Sequence, residues 1–364
     1  MKIGVLTSSR ADYGIYLPLL KRLEESPEYT LEVIAFGTHL SKFHGYTVDY
    51  IKADGFKNIY EISSLITNDD ETSISTAYGL TVLKFADFWR EHQFDWVLCL
   101  GDRYEMSAAV QAGIPYGTNF AHIHGGETTL GAIDNIYRHQ ISLASKKHFP
   151  ATDVFAKRIK ELIGSPENIF AVGSLSIDEL AEMPIPTESD FRRKFQINAD
   201  FALLTFHPET VSPQKNVEYA NEMLNGLKEI SKEILLVITM PNADTFGTIY
   251  RDALFKLKEA TPDRVILIEN FGKLNYFAAM RYCKLLIGNT SSGIIEAASF
   301  GKYVMNVGDR QKGRAQSENI INIPFSAIEM VNTFLSTSGK GDFQGENIYH
   351  RSGTVNSILN NLKS

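Results

Sequence analysis

Short apolar runs alternate with longer amphipathic segments along most of this 364-residue chain. In the first half, the apolar runs predict buried β-strands at residues 3–7, 31–36, 96–100, 119–124 and 169–172. The amphipathic segments between them predict helices at residues 15–25, 75–91 and 104–112. Alternation of this kind is typical of βαβ units, so we expect a parallel sheet.

A proline-rich acidic stretch at residues 178–186 interrupts the pattern and is typical of a domain linker. The alternation then resumes, with strands predicted at residues 202–206, 234–239, 265–268, 285–287 and 303–307 and helices at 217–230, 274–282 and 292–300. A final helix is expected at residues 353–362, packing back on the first domain. We therefore predict an α/β protein of two Rossmann-like domains, residues 1–180 and 181–345 followed by a C-terminal helix in 346–364, with parallel sheets facing a central cleft.

The composition of the chain argues against several classes of function. Hydrophobic residues make up 44% of the chain, enough for a full core, and the net charge of −7 argues against binding to nucleic acid or a membrane surface. The only cysteines, Cys99 and Cys283, lie in apolar surroundings and are expected to be buried free thiols. The chain begins directly with a strand pattern, lacks signal-peptide features and contains no membrane-length apolar run. We expect a soluble, cytoplasmic protein.

Six polar, glycine-rich motifs each follow a predicted strand or lie at its end. They are SSRADYG at 8–14, GDRYE at 101–105, HIHGGE at 122–127, FHPET at 206–210, GNTSSG at 288–293 and GDRQKGR at 308–314. Ligands of open parallel sheets bind outside the carboxyl ends of the strands. Together, the motifs therefore predict one large site for an anionic ligand.

The motifs of the second half indicate phosphate binding. The 288–293 loop opens a predicted helix, whose N–H groups and dipole favour a phosphate, and Glu296 could accept hydrogen bonds from two ribose hydroxyls. Arg310 and Arg314, with a lysine between them, could form forked bonds to a diphosphate. An ordinary serine cap and a solvated loop are the alternatives. His207 could donate to a phosphate or a sugar, or be a buried structural histidine.

The motifs of the first half indicate proton transfer. Asp102 and Glu127 follow adjacent predicted strands, and Asp134, Arg138 and His139 follow on the next helix. A strand-end turn cap for Asp102 and a surface ion pair between Asp134 and Arg138 are the alternatives. Several acids with an arginine in one cleft resemble paired acid/base sites. The pair His122-x-His124 would point one way if the strand alternation continued through both, but no further ligand spacing supports a metal, and we expect none.

Several enzyme classes lack their sequence signatures. The chain contains no G-x-G-x-x-G fingerprint, which weakens a dinucleotide oxidoreductase and a ketone-based epimerisation. It contains neither a G-x-S-x-G elbow nor a P-loop, so nothing supports a serine hydrolase or a P-loop kinase.

Seven motifs form a specific combination. In order along the chain, they are Arg10-Ala11-Asp12-Tyr13, Gly101-Asp102-Arg103, His124-Gly125-Gly126-Glu127, Asp134 with Arg138-His139, His207-Pro208, Gly288-Asn289-Thr290-Ser291 and the Arg310–Arg314 loop. This combination resembles the hydrolysing UDP-N-acetylglucosamine 2-epimerases, the bacterial enzymes that open sialic acid synthesis and their animal bifunctional relatives. The non-hydrolysing members carry Gly-Thr-Arg-Pro-Glu at the first loop, where this chain has Ser-Ser-Arg-Ala-Asp-Tyr.

The resemblance implies a glycosyltransferase-B type fold and the reaction of UDP-GlcNAc with water to give UDP and N-acetylmannosamine, without cofactor or metal. It implies a homo-oligomer, dimer or tetramer, with a small nucleotide sugar as its other partner. Asp102, Glu127, Asp134 and Arg138 are expected around the sugar, and the UDP is expected at Arg10, Arg103, His207, Asn242, Thr290, Ser291, Glu296, Arg310 and Arg314. Three alternatives stay open: the same reaction on a UDP-2,4-diacetamido-2,4,6-trideoxy sugar, a retaining glycosyltransferase and a non-catalytic sensor.

Overall fold

Two parallel sheets of six strands each organise the chain. The structure is a computed structural model that describes residues 1–68, 70–130, 133–178, 180–209, 213–241 and 247–364. The first sheet contains β1 Lys2–Thr7, β2 Thr30–Phe36, β3 Ile59–Ile62, β4 Trp96–Leu100, β5 Phe120–Ile123 and β6 Lys147–Phe149. The second contains β7 Phe201–Thr205, β8 Leu235–Thr239, β9 Val265–Ile268, β10 Leu286–Gly288, β11 Val304–Val307 and β12 Ile320–Ile323.

Helices connect most of the strands. They are α1 Arg10–Glu25, α2 Val48–Ala53, α3 Glu71–Glu91, α4 Tyr104–Gly113, α5 Asp134–Ala144, α6 Asp153–Ile163, α7 Glu188–Phe195, α8 Asn216–Glu233, α9 Gly247–Ala260, α10 Lys273–Tyr282, α11 Ser291–Ile295, α12 Ala327–Thr337 and α13 Thr354–Lys363. Short 3₁₀ turns include Gly37–Leu40 and Ala297–Phe300. Within the described residues, none of these helices combines the length and the apolar character that a bilayer-spanning segment needs.

The chain divides into two compact units. Unit 1 comprises Met1–Glu127, Asp134–Asp178 and Tyr349–Ser364, and unit 2 comprises Thr128–Ile133 and Glu179–Ile348. Unit 2 thus includes a short segment that interrupts the sequence of unit 1.

Both sheets have the same strand order. The first runs β3-β2-β1-β4-β5-β6 and the second β12-β11-β10-β7-β8-β9, with every neighbouring pair parallel. In this Rossmann order the chain reverses its direction of travel at one point of each sheet, between β1 and β4 in unit 1 and between β7 and β10 in unit 2. Loops on either side of such a switch point diverge and leave a crevice for a ligand.

Helices cover both faces of each sheet. In unit 1, Ile3 and Val5 pack with α1 and with the buried side of α13, whereas Leu6 packs on the opposite face with Phe85 of α3 and Met106 of α4. In unit 2, α8, α9 and α12 cover one face, and α7 and α10 cover the other. Strands buried on both faces lack a polar side, which explains the continuous apolar runs in the sequence.

The predicted strands and helices compare well with the observed ones, with clear exceptions. The strand predicted at 169–172 is wrong: Ile169 forms a single bridge to His148, because Pro150 has no N–H with which to extend a ladder. The helix predicted at 292–300 is a five-residue α-helix followed by a 3₁₀ turn. Cys99 and Cys283 are buried free thiols, as predicted. The α/β class with two parallel-sheet units is confirmed.

Candidate functional site

A buried arginine links two of the predicted acids in unit 1. Asp102 is the second residue after β4 and follows Gly101, which has a φ of +81°. Its carboxylate accepts a hydrogen bond from Nη2 of Arg138 on α5. Nη1 of Arg138 lies 3.1 Å from Glu127 Oε2 and donates to the His124 carbonyl at 3.2 Å. The Arg138 and Glu127 side chains are each 2% exposed and Asp102 is 26% exposed. One guanidinium therefore holds two carboxylates side by side.

The loop that carries Glu127 has an unusual backbone. His124 has a φ of +62°, rare for a residue with a side chain, and Gly126 has a φ of +76°. A Cβ on Gly126 would lie 2.4 Å from the Phe155 carbonyl, so only glycine fits there. The His124 Nδ1 lies 3.9 Å from Glu127 Oε1. This left-handed turn directs Glu127 back toward Arg138, and such strain is common at functional sites.

Asp134, in the first turn of α5, differs from the other two acids. Burial raises the pKa of Asp134 to about 6, with a further increase from the nearby Asp102 carboxylate. Arg103 and Arg138 oppose this shift without cancelling it. The cluster therefore combines two carboxylates that share an arginine with a third that holds its proton into the near-neutral range. Groups whose environments separate their pKa values are suited to opposite roles in proton transfer.

The loop after β1 is ordered by Asp12. Its carboxylate accepts hydrogen bonds from the Ser8 N–H at 2.9 Å and the Ser9 N–H at 3.1 Å. The Asp12 N–H donates in return to the Ser9 hydroxyl at 3.4 Å, which completes a capping box at the start of α1. This leaves Arg10 exposed as the first residue of α1. Arg103, which precedes α4, forms a forked pair with Glu105, with N–O distances of 3.2 and 2.9 Å.

The two histidines of the His122-x-His124 pair do not share a direction, because β5 ends at Ile123 and the backbone turns at His124. The alternation on which a shared metal depended therefore fails. Among the described residues, no group of three His, Cys, Asp or Glu side chains is arranged to hold a metal ion.

In unit 2, an asparagine joins the two loops at the switch point. Asn289 follows β10, and its side-chain amide makes a reciprocal pair with the backbone of His207, which follows β7. The His207 N–H donates to Oδ1 at 2.7 Å, and Nδ2 donates to the His207 carbonyl at 2.9 Å. Burial and the nearby Arg310 lower the pKa of His207 to about 3, so its ring is neutral. The amide thereby holds His207 beside the start of α11.

The loop before α11 carries the predicted phosphate residues. Thr290 precedes α11 without using its hydroxyl as a cap, and Ser291 is the first helical residue. Both are half-buried. Glu296 follows α11 and is 8% exposed. Its carboxylate interacts electrostatically with Lys273 at the start of α10, and burial lowers the pKa of that lysine.

The loop after β11 is tied to both neighbouring loops. Arg310 Nη1 and Gln311 Nε2 donate to the Asn289 carbonyl at 3.2 and 2.8 Å. The buried Glu209 carboxylate accepts from the Asp309 N–H at 2.8 Å, and burial raises the pKa of Glu209. These contacts orient Arg310 beside the start of α11.

The same loop also contacts the short segment of unit 2 that follows Glu127. The Leu130 N–H donates to the Lys312 carbonyl at 2.9 Å, and a Cβ on Gly313 would lie 3.0 Å from the Leu130 side chain. Arg314 is half-buried at the end of this loop. A backbone hydrogen bond therefore joins the 308–314 motif to the segment that follows Glu127.

The predicted site residues fall into two groups. Unit 1 contains Arg10, Asp102, Arg103, Glu127, Asp134 and Arg138, and unit 2 contains His207, Thr290, Ser291, Glu296, Arg310 and Arg314. Asn242 lies outside the described residues. Sequence reasoning did not assign Asn289 or Glu209, although both stand inside the motifs. Their signal was a buried polar side chain next to a strand end, whose partners lie far away in sequence.

Two Rossmann-like units, one with a carboxylate–arginine cluster at its switch point and the other with an arginine-bearing loop beside its own, have the glycosyltransferase-B type of fold. Residues 21–363 match the UDP-N-acetylglucosamine 2-epimerase family, and the chain belongs to it.

Two relatives illustrate this membership, and one solved structure illustrates the fold. The chain is 34% identical to the UDP-N,N'-diacetylbacillosamine 2-epimerase (hydrolyzing) of Legionella pneumophila, over 88% of this chain and 85% of that protein. It is 33% identical to the polysialic acid biosynthesis protein P7 of Escherichia coli, over 89% and 82% of the two chains. The fold is similar to that of the UDP-GlcNAc 2-epimerase from Neisseria meningitidis bound to UDP-GlcNAc, with a TM-score of 0.82 at 16% identity over 100% of both chains.

Proposed function

We propose that this protein is a hydrolysing 2-epimerase that converts UDP-N-acetylglucosamine and water to UDP and N-acetylmannosamine. The observation that carries the proposal is the buried Arg138 shared by Asp102 and Glu127, beside a third acid, Asp134, with a raised pKa. Two hydrolysing relatives at 32% and 34% identity support the general reaction.

The chemistry explains why several acids are needed. The proton on C2 of the sugar is not next to a carbonyl, so direct removal is too costly. As the C1–O bond to UDP breaks, positive charge develops on the ring and acidifies C2–H. A carboxylate on the face opposite the departing UDP removes this proton, and the glycal forms. Water adds at C1, and a proton returns to C2 on the other face.

The residues of unit 1 would divide this proton transfer. Asp102 or Glu127 is the base, because Arg138 stabilises the charged form of each. Asp134 holds its proton up to a pH of about 6 and is suited to return a proton to C2. Arg138 orients both candidate bases from one buried position.

The UDP would be bound by cations and helix starts. Arg310 and Arg314 with Thr290 and Ser291 would bind the diphosphate, and Glu296 would bind the ribose hydroxyls. Positive charge at this position stabilises the departing UDP and so lowers the barrier to C1–O cleavage. Arg10, Arg103, His207 and Asn242 complete the proposed set.

The sugar itself has a second candidate. The Legionella relative is named for a UDP-sugar of the 2,4-diacetamido-2,4,6-trideoxy type, whereas the E. coli relative is named for polysialic acid synthesis. Either substrate feeds the synthesis of a nonulosonic acid. A retaining glycosyltransferase is the candidate of another class, but it has no use for several acids beside C2. We also propose that the protein acts in the cytoplasm as a homo-oligomer, a dimer or tetramer.

The deciding experiment is proton NMR of the protein with UDP-GlcNAc in D₂O. Free UDP together with N-acetylmannosamine deuterated at C2 is the expected result. If UDP-GlcNAc stays intact while the diacetamido-trideoxy analogue is consumed, the substrate assignment changes. Reversible formation of UDP-ManNAc without free UDP would refute hydrolysis.

Variants separate an enzyme from a sensor. Asp102→Asn and Glu127→Gln should bind UDP but release no product. Asp87→Asn, which alters an exposed ion pair on α3, is the matched control and should keep full turnover. A protein whose Asp102→Asn variant turns over normally would contradict the proposed role of the cluster.

A further inference from the structure

A second, uncharged network lies beneath the acids of unit 1. His122 on β5 and Ser142 on α5 are both completely buried. The His122 Nε2 lies 2.8 Å from the Gly101 carbonyl oxygen, and its Nδ1 lies 2.9 Å from Ser142 Oγ. The ring nitrogens thus contact a carbonyl and a hydroxyl, whereas Asp102, Arg138 and His148 act on the ring only through space. The pair touches the residue that precedes Asp102.

The contacts determine the tautomer of the ring. A carbonyl oxygen only accepts hydrogen bonds, so Nε2 of His122 must carry the proton and donate to Gly101. In a neutral ring Nδ1 is then an acceptor, and the Ser142 hydroxyl donates to it. Complete burial lowers the pKa of His122 to about 3, so the ring keeps this neutral form throughout the physiological range.

The same pair supports the second catalytic loop. A Cβ on Gly125 would lie 2.8 Å from His122 Nδ1 and 3.0 Å from Ser142 Oγ. The backbone of Gly125 thus packs directly on the ring and the hydroxyl, two residues before Glu127. One histidine side chain therefore contacts both the turn that carries Asp102 and the loop that carries Glu127.

Helix α5 connects this pair to the arginine. Arg138 and Ser142 are four residues apart on α5 and therefore lie on the same face of the helix. Arg138 contacts the carboxylates of the two loops, and Ser142 contacts the histidine that supports their backbones. Arg138 thus fixes the side chains of Asp102 and Glu127 relative to each other, and His122 fixes the backbones of their two loops.

We propose that His122 is a positioning residue whose ring, oriented by Ser142, sets the distance between the Asp102 turn and the Glu127 loop. It touches neither substrate nor proton in transit. The proposal rests on the proposed function for its kinetic consequence, and its structural part can be tested without turnover. Misplacing a reacting group by about 1 Å costs on the order of 100-fold in rate.

The kinetic test compares three substitutions in the full-length protein. His122→Phe removes the donor to Gly101 and should lower kcat about 100-fold with KM within a few-fold, because the hydrogen-bond partners of His122, Gly101 and Ser142, are not among the proposed UDP-binding residues. His122→Gln keeps a donor near the position of Nε2 and should recover most of the lost kcat. His148→Phe is the matched control: His148 is equally buried at the paired position of β6, and kcat should stay within about 3-fold.

Two kinetic outcomes would overturn the proposal. One is an equal loss of kcat in His122→Phe, His122→Gln and His148→Phe, which would mean a general packing role. The other is a rise in KM with kcat unchanged, which would place His122 in substrate binding.

The spectroscopic test needs no substrate. In protein labelled with ¹⁵N-histidine, the His122 signals, assigned by their absence in His122→Gln, should show a protonated Nε2 and an unprotonated Nδ1 at pH 5 and at pH 8. The Nδ1–H tautomer, or protonation between these pH values, would refute the proposal. If the NMR result holds while no UDP-sugar is consumed, the proposed function fails and the hydrogen-bond network does not.

Discussion

Replacing Arg138 by methionine should destabilise unit 1 strongly, because the buried Glu127 carboxylate loses its charged partner. Methionine fills a similar volume without charge, so the substitution isolates the electrostatic effect. Removing one partner of a buried ion pair costs about 3–5 kcal/mol of unfolding free energy. Glu127 is 2% exposed and accounts for most of this cost, whereas Asp102 at 26% exposure can recover part of its solvation.

A double-mutant cycle measures the two partners separately. Combining Arg138→Met with Glu127→Gln should return about 2–3 kcal/mol of the lost stability, since no charge then remains buried there. Combining it with Asp102→Asn should return less than about 1 kcal/mol, as expected for a pair that water reaches.

The assay can be confined to unit 1. The only two tryptophans, Trp89 on α3 and Trp96 on β4, both lie in that unit. Urea unfolding followed by tryptophan fluorescence therefore reports the stability of unit 1 and not that of unit 2. A loss below about 1 kcal/mol for Arg138→Met, or equal coupling to the two acids, would refute the reasoning.

Other predictions use the same measurements. Because the pKa of Asp134 is raised in the folded state, its charge opposes folding above a pH of about 6, and Asp134→Asn should stabilise unit 1 by about 1–3 kcal/mol at pH 8 in urea unfolding. That gain should disappear below a pH of about 4, where both states hold the proton; a gain independent of pH would contradict the assignment. Asn289→Asp should destabilise unit 2 by about 2–4 kcal/mol in calorimetry, because a carboxylate cannot donate to the His207 carbonyl, and an unchanged transition would contradict a stabilising role for the Asn289–His207 pair. Gly288→Ala should prevent folding of unit 2, since its Cβ would lie 1.9 Å from a strand carbonyl, whereas Gly79→Ala in the open face of α3 should stabilise unit 1 by about 0.5–1 kcal/mol; circular dichroism and urea unfolding separate the two, and a folded Gly288→Ala protein would contradict the clash.

The central strands were predictable because each is buried on both faces and reads as an apolar run. Three of the four strands at the sheet edges were not, whereas the fourth, β9, has the apolar sequence VILI and was predicted at residues 265–268. β3, β6 and β12 are short edge strands with the sequences IYEI, KHF and IINI, in which polar residues break the run. β3 and β12 are partly exposed to solvent, and the buried β6 contains Lys147 and His148, so the sequences of these three edge strands carry little of the apolar signal.

The charged residues of the site were predictable as members of motifs, but their environments were not. The raised pKa of Asp134 depends on burial and on Asp102, which is 32 residues earlier in the sequence. The Asn289 side-chain amide pairs with the N–H and the carbonyl of His207, as a neighbouring strand would. Its position in a phosphate-type motif does not reveal this role. Effects of this kind depend on which strand ends become neighbours, and sequence spacing alone does not specify that order.

The strand order explains why the six motifs, which are far apart in sequence, become neighbours within each unit. In unit 1 they follow β1, β4 and β5, and in unit 2 they follow β7, β10 and β11. These are corresponding strands of two sheets with the same order, so each unit places its chemistry at its switch point and on the next strand. In each unit, the third loop carries a side chain that must be held against the second: Glu127 is connected to Asp102 through Arg138, and Arg310 contacts Asn289. A parallel sheet fixes only the strand ends, about 5 Å apart, and the loops beyond them are free to diverge. Buried arginine, asparagine and histidine contacts are therefore required wherever two of these loops must act together.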